Sequence, residues 1–155
     1  MLDDLDRRIL EQLQADCSLS NQALAARVHT SAPTCLRRVR QLTQDGYIQR
    51  QVAILDPALM GAALTVLIEV TLDSQAASQA DALEAVFVAE PSVQQCYRVS
   101  SGPDFILIAL VDDMAAYQAL AQRCLTSDPR IRNVRSFFAT ARSKFTTRIP
   151  LRPQG

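Results

Sequence analysis

Residues 105–111 read FILIALV, seven consecutive side chains without a polar atom. So short a run, preceded by Gly102, Pro103 and Asp104, reads as a β-strand rather than a buried helix. A strand that is apolar on both faces must be covered on both. That requirement limits the architecture: one layer of helices on one side of a sheet, and a second apolar surface on the other.

The neighbouring segments supply the sheet. Leu64, Val66, Ile68, Val70 and Leu72 alternate with Thr65, Leu67, Glu69 and Thr71, the period of a strand. An alanine-rich helix follows to about Ala89, and Glu90, Pro91, Ser92 and Val93 then lead into another strand. The same punctuation returns at Asp128, Pro129, Arg130 and Ile131. It again follows a helix, with the face Tyr117, Leu120, Ala121, Cys124 and Leu125, and again opens a strand. This doubled strand–helix–strand order is βαββαβ, the ferredoxin-like arrangement. Its helices cover one sheet face only, so the other face of 105–111 is expected to pack on a second protomer, giving a dimer through this domain.

The first part of the chain has helical rather than alternating periodicity. Leu5, Ile9 and Leu13 mark a helix from about 4 to 16, with acidic residues towards its N-terminal end. Ser20 is the N-cap of a short second helix with the apolar face Ala23, Leu24 and Val28. Ser31 caps a third, with Pro33 in its first turn and Gly46 at its C-terminal exit. Two short helices joined by a tight turn over 20–40 are the layout of a helix-turn-helix, whose second helix enters the DNA major groove. If Cys35, Val39 and Leu42 are its buried stripe, then Pro33, Thr34, Arg37, Arg40 and Gln41 point away from the core. Arg38 falls on the flank and is expected to pair with an acid of the first helix. The break at Asp56 and Pro57 divides the chain into a DNA-binding domain at 1–46, an extended linker at 47–60 and the ferredoxin-like domain at 61–155. The fold class is therefore α+β.

Whole-chain charge is uninformative, since 16 basic residues balance 16 acidic ones. Its distribution is not: residues 1–26 hold Asp3, Asp4, Asp6, Glu11 and Asp16 against Arg7 and Arg8, whereas 27–50 hold Arg27, Arg37, Arg38, Arg40 and Arg50 against Asp45. Cys17, Cys35, Cys96 and Cys124 include no Cys-x-x-Cys pair and read mostly as small buried hydrophobes. Met114 reads as a core residue. His29, the sole histidine, has no second ligand type beside it, so no metal site, cofactor or catalytic group is expected. No apolar run reaches a membrane span and no signal peptide opens the chain, which makes the cytoplasm the expected compartment.

The chain resembles the leucine-responsive regulator/AsnC family of bacterial and archaeal transcription regulators over nearly its whole length. The resemblance rests on Leu2, Asp3, Asp6, Ile9 and Leu10; on Leu24, Ala25, Val28, Ser31, Arg38, Val39 and Leu42; and on Gly46, Tyr47 and Ile48. It continues in Leu55, Asp56 and Pro57, in Cys96, Tyr97, Val99 and Ser100, and in Asp104, Phe105, Asp113, Met114 and Tyr117. It implies a winged-type helix-turn-helix, an extended linker and a ferredoxin-like effector domain. It also implies double-stranded DNA and a small amino-acid effector as partners, and homodimers that associate further, often to octamers.

On this reading Ser31, Thr34, Arg37, Arg40 and Gln41 are the candidate DNA contacts, and Ser100, Ser101, Gly102, Pro103 and Asp104 the candidate effector loop. Asp104 offers an acceptor for an ammonium group, and Ser101 with the Gly102 amide offers donors to a carboxylate. An ordinary β-turn would use the same residue types. Two positions depart from the family pattern. His29 stands where glycine is usual in the turn between the DNA helices. At 101–104 the family's glycine–acid–any residue–aspartate is replaced by Ser101, Gly102, Pro103 and Asp104. Two alternatives are a tetrapyrrole-decarboxylase-like enzyme of the same two-domain layout, and an architectural nucleoid protein.

Overall fold

The computed structural model describes residues 2–61, 64–74 and 76–151. The chain forms two compact units, one of Met1–Ile54 with Lys144–Gly155 and one of Leu55–Ser143.

The first unit contains α1 (Asp4–Ala15), α2 (Asn21–Arg27) and α3 (Ala32–Gln44). Each begins on a side-chain cap that satisfies N–H groups the helix cannot pair itself. Asp3 Oδ1 accepts the Asp6 N–H at 2.8 Å while Asp6 Oδ2 accepts the Asp3 N–H at 3.1 Å, a reciprocal capping box. Ser20 accepts from Ala23 and Ser31 from Thr34. The core is Ile9, Leu10, Leu24, Ala25, Val28, Cys35 and Leu42, with Val39 half-buried against it. On α2 the buried alanine is Ala25, not the expected Ala23, because Ala25 lies one step nearer Leu24 and Val28 on the helical wheel. Gly46 adopts φ +80° just after α3, as its exit requires. Among the described residues no strand follows α3 before β1, so the linker forms no wing hairpin. Residues 144–151, expected in the ferredoxin-like domain, group instead with this unit: Leu151 packs against its core.

The second unit contains β1 (Leu64–Leu72), α4 (Ala77–Ala89), β2 (Val93–Arg98), β3 (Phe105–Val111), α5 (Met114–Ala121) with a π-helical turn at Gln122–Thr126, and β4 (Ile131–Phe138). All pairings are antiparallel, in the order β2-β3-β1-β4, which is the ferredoxin-like topology. Val66, Ile68, Val70 and Leu72 of β1 and Phe105, Leu107, Ala109 and Val111 of β3 bury one face together with Leu83, Phe87, Leu120, Cys124 and Leu125 from the helical side. Phe87 and Phe105 meet edge to face, centroids 5.4 Å apart. Met114 is 47% exposed, contrary to the core placement expected from sequence. It is the first residue of α5, directly after the Asp113 cap.

Candidate nucleic-acid interface and ligand loop

The outward face of α3 is where helical phase places it. Arg37, Arg40 and Gln41 are exposed, and a shallow groove of about 340 Å³ runs over Pro33, Leu36, Arg37, Arg40, Gln41 and Gln44. Among the described residues neither Arg37 nor Arg40 takes part in an ion pair. The other candidates are engaged locally. Ser31 Oγ donates to Thr34 Oγ1 at 2.8 Å, so both hydroxyls serve the helix start. Gln41 Nε2 donates to Asp45 Oδ1 at 2.7 Å.

Arg38 does not join that face. Its Nη1 lies 2.8 Å from Asp3 Oδ2 and 3.2 Å from Asp6 Oδ1, and Asp6 is only 6% exposed. The α1 capping box is therefore also the anchor of the reading helix. The Asp6 N–H hydrogen bond, joined by the Arg38 cation, outweighs desolvation and holds the Asp3 carboxyl below its ordinary range. Asn21 provides a second anchor, donating to the Ala32 carbonyl at 2.8 Å and so tying the start of α2 to the start of α3. His29 turns the chain between them at φ +56°, with its N–H on the Ala26 carbonyl. The left-handed region disfavours a residue with a Cβ, but histidine is among those that tolerate it.

The loop after β2 has a structural role that its composition did not disclose. Asp104 Oδ2 accepts the Leu72 N–H at 2.7 Å, while the Asp104 N–H donates to the Val70 carbonyl and its own carbonyl accepts from Val99. One carboxylate oxygen thus closes the end of β1. Ser100, Ser101 and Gly102 are exposed, Gly102 at φ +91°, and Pro103 and Asp104 are half-buried. The same end of the sheet carries Arg130, whose carbonyl accepts the Asp73 N–H and whose guanidinium binds Asp128. That guanidinium, with the Arg130 N–H, more than offsets desolvation and lowers the Asp128 carboxyl.

Opposite the helices the sheet presents Leu67, Ile106, Ile108, Leu110, Tyr97 and Phe137, with Leu67, Tyr97 and Phe137 between 39% and 51% exposed. Burial along β3 alternates buried and half-buried, so its second apolar face is left partly exposed.

Sequence reasoning missed three participants. Asn21 looked like the residue after a cap; its long-range bond has no periodic signature. Leu36 and Gln44 complete the α3 groove, and extending the same 100° phase would have found them. Among the described residues no group of three or more His, Cys, Asp or Glu could hold a metal, and no helix is long and apolar enough to cross a membrane.

Two family profiles cover the chain: a winged helix-turn-helix DNA-binding profile over residues 2–49, and the Lrp/AsnC ligand binding domain over residues 65–149. The leucine-responsive regulatory protein of Salmonella typhimurium is 34% identical over 151 residues, covering 97% of this chain and 92% of that protein. An AsnC family transcriptional regulator from Agrobacterium tumefaciens superimposes with a TM-score of 0.90 at 36% identity, covering 96% of this chain and 97% of the other. A Neisseria meningitidis transcriptional regulator solved in complex with L-Met gives a TM-score of 0.90 at 30% identity, covering 97% of both chains. With both halves matched, in the order in which the helices and sheet were found, the chain belongs to the Lrp/AsnC family of transcription regulators.

Proposed function

We propose that this chain is a sequence-specific DNA-binding transcription regulator that reads the major groove with α3 and whose binding responds to a small amino acid. The observation that carries the first part is the pair of exposed arginines on α3, Arg37 and Arg40, outside any ion pair among the described residues, on a helix locked in place by Arg38, Asp3 and Asp6. Guanidinium groups held this way neutralise phosphates and can bond the guanine edge. Thr34 and Gln41 supply further polar contacts once their local bonds are exchanged for DNA.

Dimerisation through the open sheet face would present two reading helices to successive major grooves, about 34–36 Å apart. Further association to octamers and a cytoplasmic location follow the family pattern. The candidate effector loop is 100–104: Asp104 Oδ1 is the acceptor for an ammonium group, and Ser100, Ser101 and the Gly102 amide are donors for a carboxylate. The L-Met complex of the Neisseria relative favours this chemistry. No catalytic group is assigned, and neither matched profile describes an enzyme.

An effector shifts DNA affinity only by binding two assembly states unequally. Calorimetric titration with a panel of amino acids, repeated on Asp104→Asn, tests the loop; footprinting across a genome fragment library tests the reader. Protection spread evenly along any DNA would replace the regulator with an architectural protein. Amino acids that change neither sedimentation nor DNA retention would remove the effector.

A further inference from the structure

The C-terminal segment is built into the DNA-reading unit. Gln14 of α1 and Ile149 exchange two hydrogen bonds: Gln14 Nε2 donates to the Ile149 carbonyl at 3.1 Å, and the Ile149 N–H donates to Gln14 Oε1 at 2.6 Å. The carboxamide thus stands in for the peptide group of a neighbouring strand, satisfying both backbone groups of one residue. Three residues earlier on α1, and so on the same helical face, Glu11 Oε1 accepts from Arg148 Nη2 at 2.9 Å. Leu151 completes the anchor by packing against the apolar core of the helical unit.

Charge agrees with geometry. Residues 139–155 carry Arg142, Lys144, Arg148 and Arg152 and no acid, whereas residues 3–16 carry Asp3, Asp4, Asp6, Glu11 and Asp16 against Arg7 and Arg8. The helix that receives the tail is also the helix that holds α3, through Asp3 and Asp6 on Arg38. A continuous set of contacts therefore runs from Arg148 and Ile149, through Glu11 and Gln14, along α1 to Asp6, and from there to Arg38 beside Arg37.

We propose that residues 148–151 form a latch on α1 and act as positioning residues for the reading helix, so that DNA affinity is set in part from the far end of the sequence. The polar contacts of the latch are exposed, and an exposed ion pair contributes little by itself, so the latch is releasable and salt-sensitive. This inference rests on the DNA-binding reading above.

The test uses the full chain, a duplex that it enriches from a random-sequence pool, and hydrogen exchange. Arg148→Glu should accelerate exchange of α1 amides about three- to tenfold, leave β1 and β3 amides unchanged, and raise the Kd for the duplex about two- to fivefold. Adding Glu11→Arg restores the pair with reversed charges and should return both quantities towards wild type. A chain ending at Thr147 should match or exceed the loss seen in Arg148→Glu.

Unchanged α1 exchange in the shortened chain overturns the latch. So does a loss of affinity in Arg148→Glu that Glu11→Arg does not repair, since Arg148 would then be a phosphate contact. A change of sedimentation with α1 protection intact would make the tail an assembly element instead. If the pool yields no enriched duplex, the DNA-binding reading fails, while the exchange measurement still decides whether the tail holds α1.

Discussion

The two units solve the same problem with opposite leftovers. The helical unit caps its three helix starts with side chains and ties α3 to α1 through the Asp3–Asp6–Arg38 cluster, and what it leaves outward on α3 is cationic. The sheet unit buries one face under α4 and α5 and leaves outward an apolar surface of Leu67, Ile106, Ile108, Leu110 and Phe137. A net charge of zero hides this division. Exposed guanidinium groups suit a polyanion; a half-exposed apolar sheet face suits another apolar surface, such as a second copy of the chain would offer.

The largest effect should come from breaking the apolar half of that contrast. Ile108→Asp places a carboxylate at the centre of the open face, where pairing with a second copy would bury it. The expected cost to self-association is about 4 kcal/mol or more, roughly a thousandfold. Sedimentation should show a monomer with an unchanged circular dichroism spectrum. A variant that sediments like wild type would place the interface elsewhere.

Breaking the cationic half should cost less and leave assembly alone. Arg37→Ala is expected to weaken binding to a preferred duplex by about 1–3 kcal/mol and to reduce the salt dependence by about one counterion if the lost contact is a phosphate. Equal affinity at all salt concentrations would take Arg37 out of the reader.

Between the two lies the anchor. Asp6→Ala removes the buried acceptor of Arg38 but leaves Asp3, so the expected destabilisation is about 1–2 kcal/mol, below that of a fully buried pair. It should weaken DNA binding without removing any DNA contact, which separates positioning from reading. Acid probes the same cluster. The Asp3 carboxyl is held below its ordinary value of 3.8, so its stabilisation is complete above that pH and is lost as pH falls through the lowered folded value. Asp3→Asn should therefore flatten the acid limb of the helical unit's unfolding and leave that of the sheet unit in place.

How much of this was legible in the sequence depended on range. The caps at Ser20 and Ser31, the alternation of 64–72 and the outward phase of Arg37 and Arg40 are local patterns, repeated every two or 3.6 residues, and the structure reproduces them. Even the pairing of Arg38 with an acid on α1 follows from phase plus local charge. Contacts that span the chain have no such period. Gln14 with Ile149, Asn21 with Ala32 and Asp104 with Leu72 each join an unremarkable polar residue to a distant backbone group. Asp104 is the instructive case: its residue type fits a ligand acceptor, yet one of its oxygens already closes β1. Met114 erred for a different reason: it shares the helical phase of the Tyr117–Leu120 face, yet at the first position of α5 its side chain is left exposed.

The smallest predicted effect concerns His29. Among the described residues, Gly46, Gly61 and Gly102 take positive φ as glycines, and His29 alone does so with a side chain. The left-handed conformation costs a residue with a Cβ roughly 1–2 kcal/mol, and glycine returns about 0.5–1 kcal/mol of that as extra unfolded-state entropy. His29→Gly should therefore stabilise the helical unit by about 0.5–1 kcal/mol, read as a higher urea midpoint for the loss of helical signal. Because the backbone bonds of the turn, His29 N–H to Ala26 and Thr30 N–H to Ala25, are kept, α3 stays in place and DNA affinity should not change. The sheet unit, whose positive-φ positions among the described residues already carry glycine (Gly61 and Gly102), should unfold at its original midpoint. A lower midpoint for the helical unit would mean that the exposed imidazole makes a stabilising contact outweighing its backbone strain, and weaker DNA binding at unchanged stability would make His29 part of the reading surface rather than a hinge beneath it.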